Sequence, residues 1–304
     1  MSTIRTDLTL DGFPVVRLEN ELLRVDCTPA VGGRVTSLVY KPAGCELLWR
    51  NSSLKLKLVP PGNSYDPNFY GGIDEILPND IPEHINGVDV HDHGEIWTSS
   101  FDYSVRGGGV TLTCLLPMTG LAYTRHMSLR DDIPCVDSDY VIENTTGETK
   151  HFLWKLHAAL VIGAGDRIEC PAEHAQVADR EWSRWKSNEP FSWPLYGGER
   201  TDIIPEKGDS CDYMYLYGLR EGILSLCRKN GLEFTYLFDT AVFPCVHYFA
   251  SYGGLNGHYT AVLEPATMMP YSVAEAVRLN RSFSLGPKEK LTTRVTVYAG
   301  PCRK

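Results

Sequence analysis

Short runs of alternating apolar and polar residues recur along the whole chain. Typical runs are residues 22–27 (LLRVDC), 110–115 (VTLTCL) and 291–298 (LTTRVTVY). Alternation with a period of two places every second side chain on one buried face of a β-strand. Clusters of Gly, Pro, Asn and Asp separate the runs, as expected for turns between strands. The pattern therefore predicts an all-β protein.

Helical patterns are scarce, and residues 271–279 (YSVAEAVRL) predict about two helical turns. Residues 144–147 (NTTG) lie between two apolar runs and predict a hairpin turn. The chain has no repeat of fixed period and no flexible linker, so we expect residues 1–304 to form one large antiparallel β-sandwich domain. Residues 180–210, rich in Trp, Pro and Gly, predict a long loop of the kind that often covers a site.

The composition narrows the class of protein. The 304 residues are 43% hydrophobic, enough for a large core, and carry a net charge of −9 with scattered basic residues. We therefore expect no nucleic-acid partner. No run approaches the roughly 20 apolar residues that span a bilayer, and residues 1–10 lack an apolar signal core, so we expect a cytoplasmic protein without membrane contact. The nine cysteines contain no CxxC motif and are expected to be reduced.

Three titratable residues alternate along one run: His91, His93 and Glu95, followed by Trp97. Residues at alternate positions of a strand share one face, so their side chains would meet. One interpretation is a metal site, since imidazole and carboxylate groups are common metal ligands. The other is a ligand site in which a histidine bonds a polar group and Trp97 supplies a flat apolar wall.

Other polar residues interrupt apolar strands. In residues 71–79 (GGIDEILPN), two glycines allow close backbone approach, and two acids, Asp74 and Glu75, follow them. Lys155 and His157 lie two residues apart in an apolar strand, and because a buried cation needs a partner we expect both to face a polar cleft. Glu264 precedes a proline, which keeps it extended and fixes its direction, as a general base requires.

In their order along the chain, these segments resemble the aldose 1-epimerase (galactose mutarotase-like) superfamily. The resemblance implies a large antiparallel β-sandwich of the galactose mutarotase type, whose open face binds a sugar. The residues that carry it are 29–38 (PAVGGRVTSL), 46–49 (ELLW), 92–97 (DHGEIW), His157, Glu264–Pro265 and 284–289 (SLGPKE).

The resemblance also implies an activity, the interconversion of the two anomers of an aldose by acid–base ring opening. His157 matches the general acid of the family, Glu264 its general base, and His93 a second histidine that contacts the sugar. This chemistry needs no metal ion and no cofactor, so we expect neither. A small-molecule sugar is the expected partner, and a homodimer is compatible with the sequence.

Further binding roles follow for residues near the matching segments. Trp97 is expected to stack on the sugar, and Arg34, Glu75 and Lys155 to bind its hydroxyl groups. The chain departs from the family around the acid, where Leu156 replaces a common Asn. It therefore resembles a divergent member.

Three alternatives remain open at the level of sequence. The first is a non-catalytic carbohydrate-binding protein on the same fold, because fold does not dictate function. The second is a metal-dependent sugar isomerase or lyase that uses His91, His93 and Glu95. The third is a lyase or epimerase of uronic acids, in which Lys155 and Arg34 neutralise the substrate carboxylate.

Overall fold

A computed structural model describes residues 2–303 of the chain. Its strands are β1 (Thr3–Leu10), β2 (Phe13–Glu19), β3 (Leu23–Thr28), β4 (Arg34–Tyr40), β5 (Cys45–Glu46), β6 (Ile73–Ile76), β7 (Glu83–Ile85), β8 (Val88–Val90), β9 (Asp102–Arg106), β10 (Gly109–Leu116), β11 (Leu121–Leu129), β12 (Cys135–Asn144), β13 (Lys150–Phe152), β14 (Lys155–Val161), β15 (Arg167–Glu169), β16 (His174–Val177), β17 (Phe191–Ser192), β18 (Leu195–Tyr196), β19 (Glu199–Arg200), β20 (Cys211–Tyr217), β21 (Ile223–Cys227), β22 (Leu232–Leu237), β23 (Cys245–Tyr252), β24 (Tyr259–Ala266), β25 (Phe283–Leu285) and β26 (Lys290–Pro301). Within these residues there is one α-helix, α1 (Val273–Arg278), and three 3-10 turns, Lys41–Ala43, Asp66–Asn68 and Ile96–Thr98.

Two large antiparallel sheets contain most of the strands. The first sheet has twelve strands in the order β1-β2-β3-β4-β6-β14-β24-β23-β20-β16-β17, with β5 beside β4. The second sheet has eight strands in the order β15-β21-β22-β26-β12-β11-β10-β9. The all-β sandwich predicted from the sequence is confirmed. No helix within residues 2–303 is long and apolar enough to cross a membrane.

The burial pattern shows which faces are covered. β11 and β12, in the second sheet, alternate between buried and half-buried residues, as expected for strands with one face in the core. β6, β14 and β24, in the centre of the first sheet, are buried at almost every position. Both faces of these three strands are therefore covered, one by the second sheet and the other by loops.

A buried carboxylate joins the two sheets. Glu75 on β6 accepts hydrogen bonds from Arg125 (3.0 Å) and Tyr140 (3.0 Å) of the second sheet. It also accepts from the Tyr123 hydroxyl and the Trp154 indole, each at 2.8 Å. Glu75 is 2% exposed and points into the core. The expectation that Glu75 binds a sugar hydroxyl is therefore wrong for this conformation, since four protein donors already occupy its oxygens.

Of the local elements predicted from the sequence, the helix is confirmed and the hairpin is not. The helix predicted at residues 271–279 is confirmed as α1, whose N-terminus is capped by the Ser272 hydroxyl. The hairpin predicted at residues 144–147 is wrong, because β12 pairs with β11 and β26 whereas β13 pairs with β25. The expected long loop at residues 180–210 contains the short strands β17, β18 and β19.

Replacing Glu75 by glutamine tests the role of this carboxylate in the fold. The variant keeps the side-chain volume but leaves the Arg125 charge buried without a counter-charge. We expect the free energy of unfolding to fall by about 3–5 kcal/mol, measured by urea denaturation. The control is Glu143→Gln, a glutamate at the surface paired with the exposed Lys290, which should change it by less than about 0.5 kcal/mol. Equal stability of the two variants would contradict this role.

Candidate active site

A row of polar residues crosses the central strands of the first sheet. Asp74 on β6 pairs in register with His157 on β14, and Glu264 on β24 pairs with His247 on β23. Lys155 of β14 pairs with Ala266 of β24 and Ala158 with Leu263, and this register places His157 opposite Glu264. Residues that face each other in an antiparallel pair project from the same side of a sheet. Since Glu75 points into the core, its neighbour Asp74 and the rest of the row project from the opposite face.

A cavity of about 270 Å³, here called the first cavity, lies over this row. His157 and Glu264 both line it, and much of the wall is aromatic. The Tyr213 ring stacks on Tyr271 with centroids 5.9 Å apart and meets Phe249 edge-on at 6.1 Å. The lining residues are Tyr65, Asp66, Phe69, Asp80, Ile81, Asp92, His93, Lys155, His157, Asp179, Trp182, Tyr213, Phe249, Leu255, Val262, Glu264 and Tyr271.

The His157 ring is oriented by a buried carboxylate. Its Nδ1 lies 2.8 Å from Asp74, which also pairs with Arg34 (2.8 Å) and accepts from the Tyr65 hydroxyl (2.7 Å). Burial alone would raise the pKa of Asp74, but the charges of Arg34 and His157 outweigh it and lower the pKa to about 2. Asp74 is therefore ionised at neutral pH and can only accept, so Nδ1 of His157 carries the hydrogen. Nε2 is the ring nitrogen left for a ligand.

Glu264 is held by a lysine that it shares with a second carboxylate. Lys155 Nζ lies 2.5 Å from Glu264 Oε2 and 3.0 Å from Asp80 Oδ1, and all three side chains are buried. Burial alone would lower the pKa of Lys155, but the charges of Asp80 and Glu264 outweigh it and raise the pKa. Lys155 is therefore a cation at neutral pH. Apart from this ion pair, the buried Oε2 of Glu264 has no hydrogen-bond partner among residues 2–303.

His93 lies at the side of the first cavity in a strained turn. Its φ is +56°, and a Cβ on the next residue, Gly94, would overlap the Leu77 carbonyl oxygen. The ring stacks on Tyr65 with centroids 4.1 Å apart, and Nδ1 lies 2.7 Å from Asp92. Burial alone would lower the pKa of His93, but its hydrogen bond with Asp92 and the nearby carboxylates outweigh it and raise the pKa.

The structure brings together four of the seven residues predicted for the site. His93, Lys155, His157 and Glu264, distant in sequence, all line the first cavity. Lys155 was expected to bind a substrate hydroxyl, but its ammonium is already paired with two carboxylates.

The other three predicted residues, Arg34, Glu75 and Trp97, do not line the first cavity. Arg34 is 3% exposed and lies behind His157, where it pairs with Asp74 and donates to the Gly71 carbonyl at 2.6 Å. The Trp97 indole donates to the Asp92 carbonyl and is also buried, so it offers no face to a sugar. Both residues support the site from beneath.

The proposed metal ligands do not converge. The Glu95 carboxylate accepts from the Met118 and Thr119 backbone amides and from the Thr119 hydroxyl. Glu95 is thus turned away from His93, whose ring is held between Tyr65 and Asp92. In the described part of the chain, the one group of His, Cys, Asp or Glu with ligand-like spacing is elsewhere: Cys227, Glu233 and Cys302.

Sequence reasoning missed several residues of the site. Asp80 links Lys155 to Tyr213, whose hydroxyl donates a hydrogen bond to the Asp80 carboxylate at 3.1 Å. Burial alone would raise the pKa of Asp80, but the charge of Lys155 outweighs it and lowers the pKa. Asp80 and Tyr65 lie in loops, where the sequence has no periodic signal. His247 lies on β23, where the alternating pattern of the strand does not set it apart from its neighbours. Burial lowers the pKa of His247 to about 3, so the ring is neutral at neutral pH, and its Nε2–H donates to the Met268 carbonyl.

Solved structures with the same fold cover nearly the whole chain. The Slr1438 protein of Synechocystis sp. PCC 6803 is 14% identical, with 98% of this chain and 99% of that chain covered and a TM-score of 0.73. A galactose mutarotase-like protein of Clostridium acetobutylicum is 13% identical over 99% of both chains, with a TM-score of 0.71. A galactose mutarotase related enzyme of Lactobacillus acidophilus is 12% identical over 98% of this chain and 97% of that chain, with a TM-score of 0.65.

These identities are low, so the likeness shows a shared galactose mutarotase-like fold and nothing finer. The sequence itself matches a family described as a domain of unknown function, DUF5107, over residues 5–192. That match spans more than half of the chain. The protein is therefore a member of the DUF5107 family, built on the fold of the galactose mutarotase-like proteins.

Proposed function

We propose that this protein interconverts the anomers of a reducing sugar, with His157 as general acid and Glu264 as general base. The observation that carries the proposal is the register of β14 against β24, which sets the two side chains opposite each other in one cavity. Their Cβ atoms are then about 5 Å apart, as for facing residues of an antiparallel pair. The fold shared with galactose mutarotase-like proteins supports a carbohydrate-related function.

This spacing suits the reaction. Anomer exchange begins when a base takes the proton of the anomeric hydroxyl while an acid protonates the ring oxygen. The bond between the anomeric carbon and the ring oxygen then breaks to give the open-chain aldehyde, which rotates and closes on the other face. Both oxygens are bonded to the same carbon, so neighbouring side chains can reach them together. Each positioned proton transfer contributes about 10²–10⁴-fold in rate.

The neighbouring charged residues orient both reacting groups. Ionised Asp74 accepts the Nδ1–H of His157, and in the general acid the ring is an imidazolium whose second proton, on Nε2, passes to the ring oxygen. The Lys155 ammonium pairs with Glu264 and fixes the position of the carboxylate that acts as the base. The aromatic walls suit the apolar face of a pyranose, and the two proton transfers need no cofactor.

A second candidate function is sugar binding without catalysis on the same fold. The 2.5 Å contact between Lys155 and Glu264 favours it, because an oxygen already engaged by a cation is less accessible to a substrate proton. This candidate predicts binding of a sugar with no acceleration of anomer exchange.

Substitution of either reacting residue separates the two functions. In Glu264→Gln and His157→Asn we expect anomer exchange to slow by at least about 10²-fold, because each variant loses one proton transfer. Saturation-transfer NMR of the anomeric protons measures the rate at equilibrium. The control His84→Asn, at an exposed histidine on β7, should exchange at the wild-type rate. Unaltered exchange in Glu264→Gln or His157→Asn would remove that residue from the mechanism.

The ionised state of Asp74 predicts a pH dependence of stability. A carboxyl whose pKa is lowered by folding stabilises the protein above its unfolded pKa, and this stabilisation is lost as pH falls through the folded value. With the pKa of Asp74 lowered from 3.8 to about 2, its contribution declines as the pH falls below about 4 and is lost near pH 2. From pH 5 to pH 2.5, the wild-type free energy of unfolding should fall about 2 kcal/mol more than that of Asp74→Asn. Parallel curves in urea titrations would show that Asp74 is not held ionised.

A further inference from the structure

A second cavity, of about 480 Å³, shares Asp66 with the first cavity. Residues after β5, the one-turn helix Asp66–Asn68 and the loop between β23 and β24 form it. One aromatic ring separates the two cavities. The Phe69 centroid lies 5.8 Å from the His157 ring on one side and 5.3 Å from the Trp49 ring, which lines the second cavity, on the other. The second cavity therefore begins one ring away from the candidate acid.

The lining of the second cavity is rich in hydrogen-bonding groups. It contains the hydroxyls of Ser52 and Ser53, the amide of Asn256 and the cations of Arg50 and Lys207. Within residues 2–303, neither cation has a carboxylate partner. Both therefore keep their donors free for a ligand, in contrast to Lys155 in the first cavity.

An aromatic ring lies among these donors. Trp49 is half-buried, and its ring contacts that of His258 with centroids 4.9 Å apart. The Asn51 side-chain amide lies 3.3 Å from His258 Nε2 and 3.4 Å from the Phe69 carbonyl, which ties this wall together. A sugar unit presents hydroxyl oxygens at its edge and C–H groups on its faces. Hydrogen-bond donors around an indole complement both.

We infer that the second cavity binds a second sugar unit, so that the substrate is a reducing oligosaccharide rather than a free monosaccharide. This inference rests on the proposed function and specifies its substrate class. Ring opening requires a free anomeric hydroxyl, so only the reducing-end unit can lie over His157 and Glu264. The next unit is joined through another hydroxyl, and it extends over the exposed Asp66, which lines both cavities, to the donors of Arg50 and Lys207.

The test compares reducing monosaccharides with disaccharides of the same sugar: glucose with maltose and cellobiose, galactose with galactobiose, and mannose with mannobiose. Saturation-transfer difference NMR reports which rings of each disaccharide contact the protein, and anomer exchange gives kcat/KM. The proteins are wild type, the double variant Arg50→Ala/Lys207→Ala, and Arg106→Ala, an exposed arginine outside both cavities, as the matched control.

We expect both rings of at least one disaccharide to receive saturation from the wild type, and its kcat/KM to exceed that of the monosaccharide about tenfold. In the double variant the non-reducing ring should lose its saturation, and the ratio of the two kcat/KM values should fall about tenfold, as for the loss of one or two hydrogen bonds. Arg106→Ala should behave as the wild type does.

Several results would overturn the inference. They are saturation confined to the reducing ring, no binding of any disaccharide, equal losses for monosaccharide and disaccharide in the double variant, or occupation of the second cavity by inorganic phosphate alone. The two proposals fail separately. Binding through both rings without anomer exchange contradicts the proposed function and leaves this inference standing. Exchange of monosaccharides alone supports the proposed function and contradicts this inference.

Discussion

The site depends on the neutralisation of buried charges on both faces of one strand. Asp74 and Glu75 are consecutive on β6, so Asp74 projects from the side of the sheet that carries the first cavity and Glu75 projects into the core. Each is paired with an arginine, Asp74 with Arg34 and Glu75 with Arg125. Because a buried charge without a partner is costly, removing either partner disturbs the strand that carries both. The Glu75–Arg125 pair therefore holds the two sheets together, while Asp74, paired with Arg34 on the other face of the same strand, orients the His157 ring.

A second set of charges governs the other half of the first cavity. Lys155 lies between Asp80 and Glu264, and Asp80 in turn lies 3.6 Å from His93. The cation fixes the position of Glu264 and compensates the negative charge of the cavity floor. Lys155 thus acts as a partner of the candidate base rather than as a ligand for substrate hydroxyls. An anionic sugar would find neither Lys155 nor Arg34 free to neutralise it, which weighs against the uronic-acid alternative.

The sequence predicted the all-β fold and the residues that alternation can place. Alternation singled out His93 and put Lys155 and His157 on one face. The proline after Glu264 singled out that residue, and the resemblance to a family then implied roles for His93, His157 and Glu264. The sequence could not assign Glu75 to the core face of its strand, because a period of two defines two faces without showing which of them meets the core. Nor could it find Asp80 or Tyr65, which reach the first cavity from loops. The hairpin at residues 144–147 failed for a related reason: a turn sequence does not reveal that its flanking strands join different sheets.

The central claim is that His157 and Glu264 act together on a sugar in the first cavity. Saturation transfer between the α and β anomeric protons of reducing sugars, recorded at increasing protein concentration, tests it most directly. We predict an exchange rate that rises in proportion to the protein concentration for at least one sugar and returns to the buffer rate in His157→Asn. An exchange rate equal to that of buffer for every reducing sugar tested would contradict it.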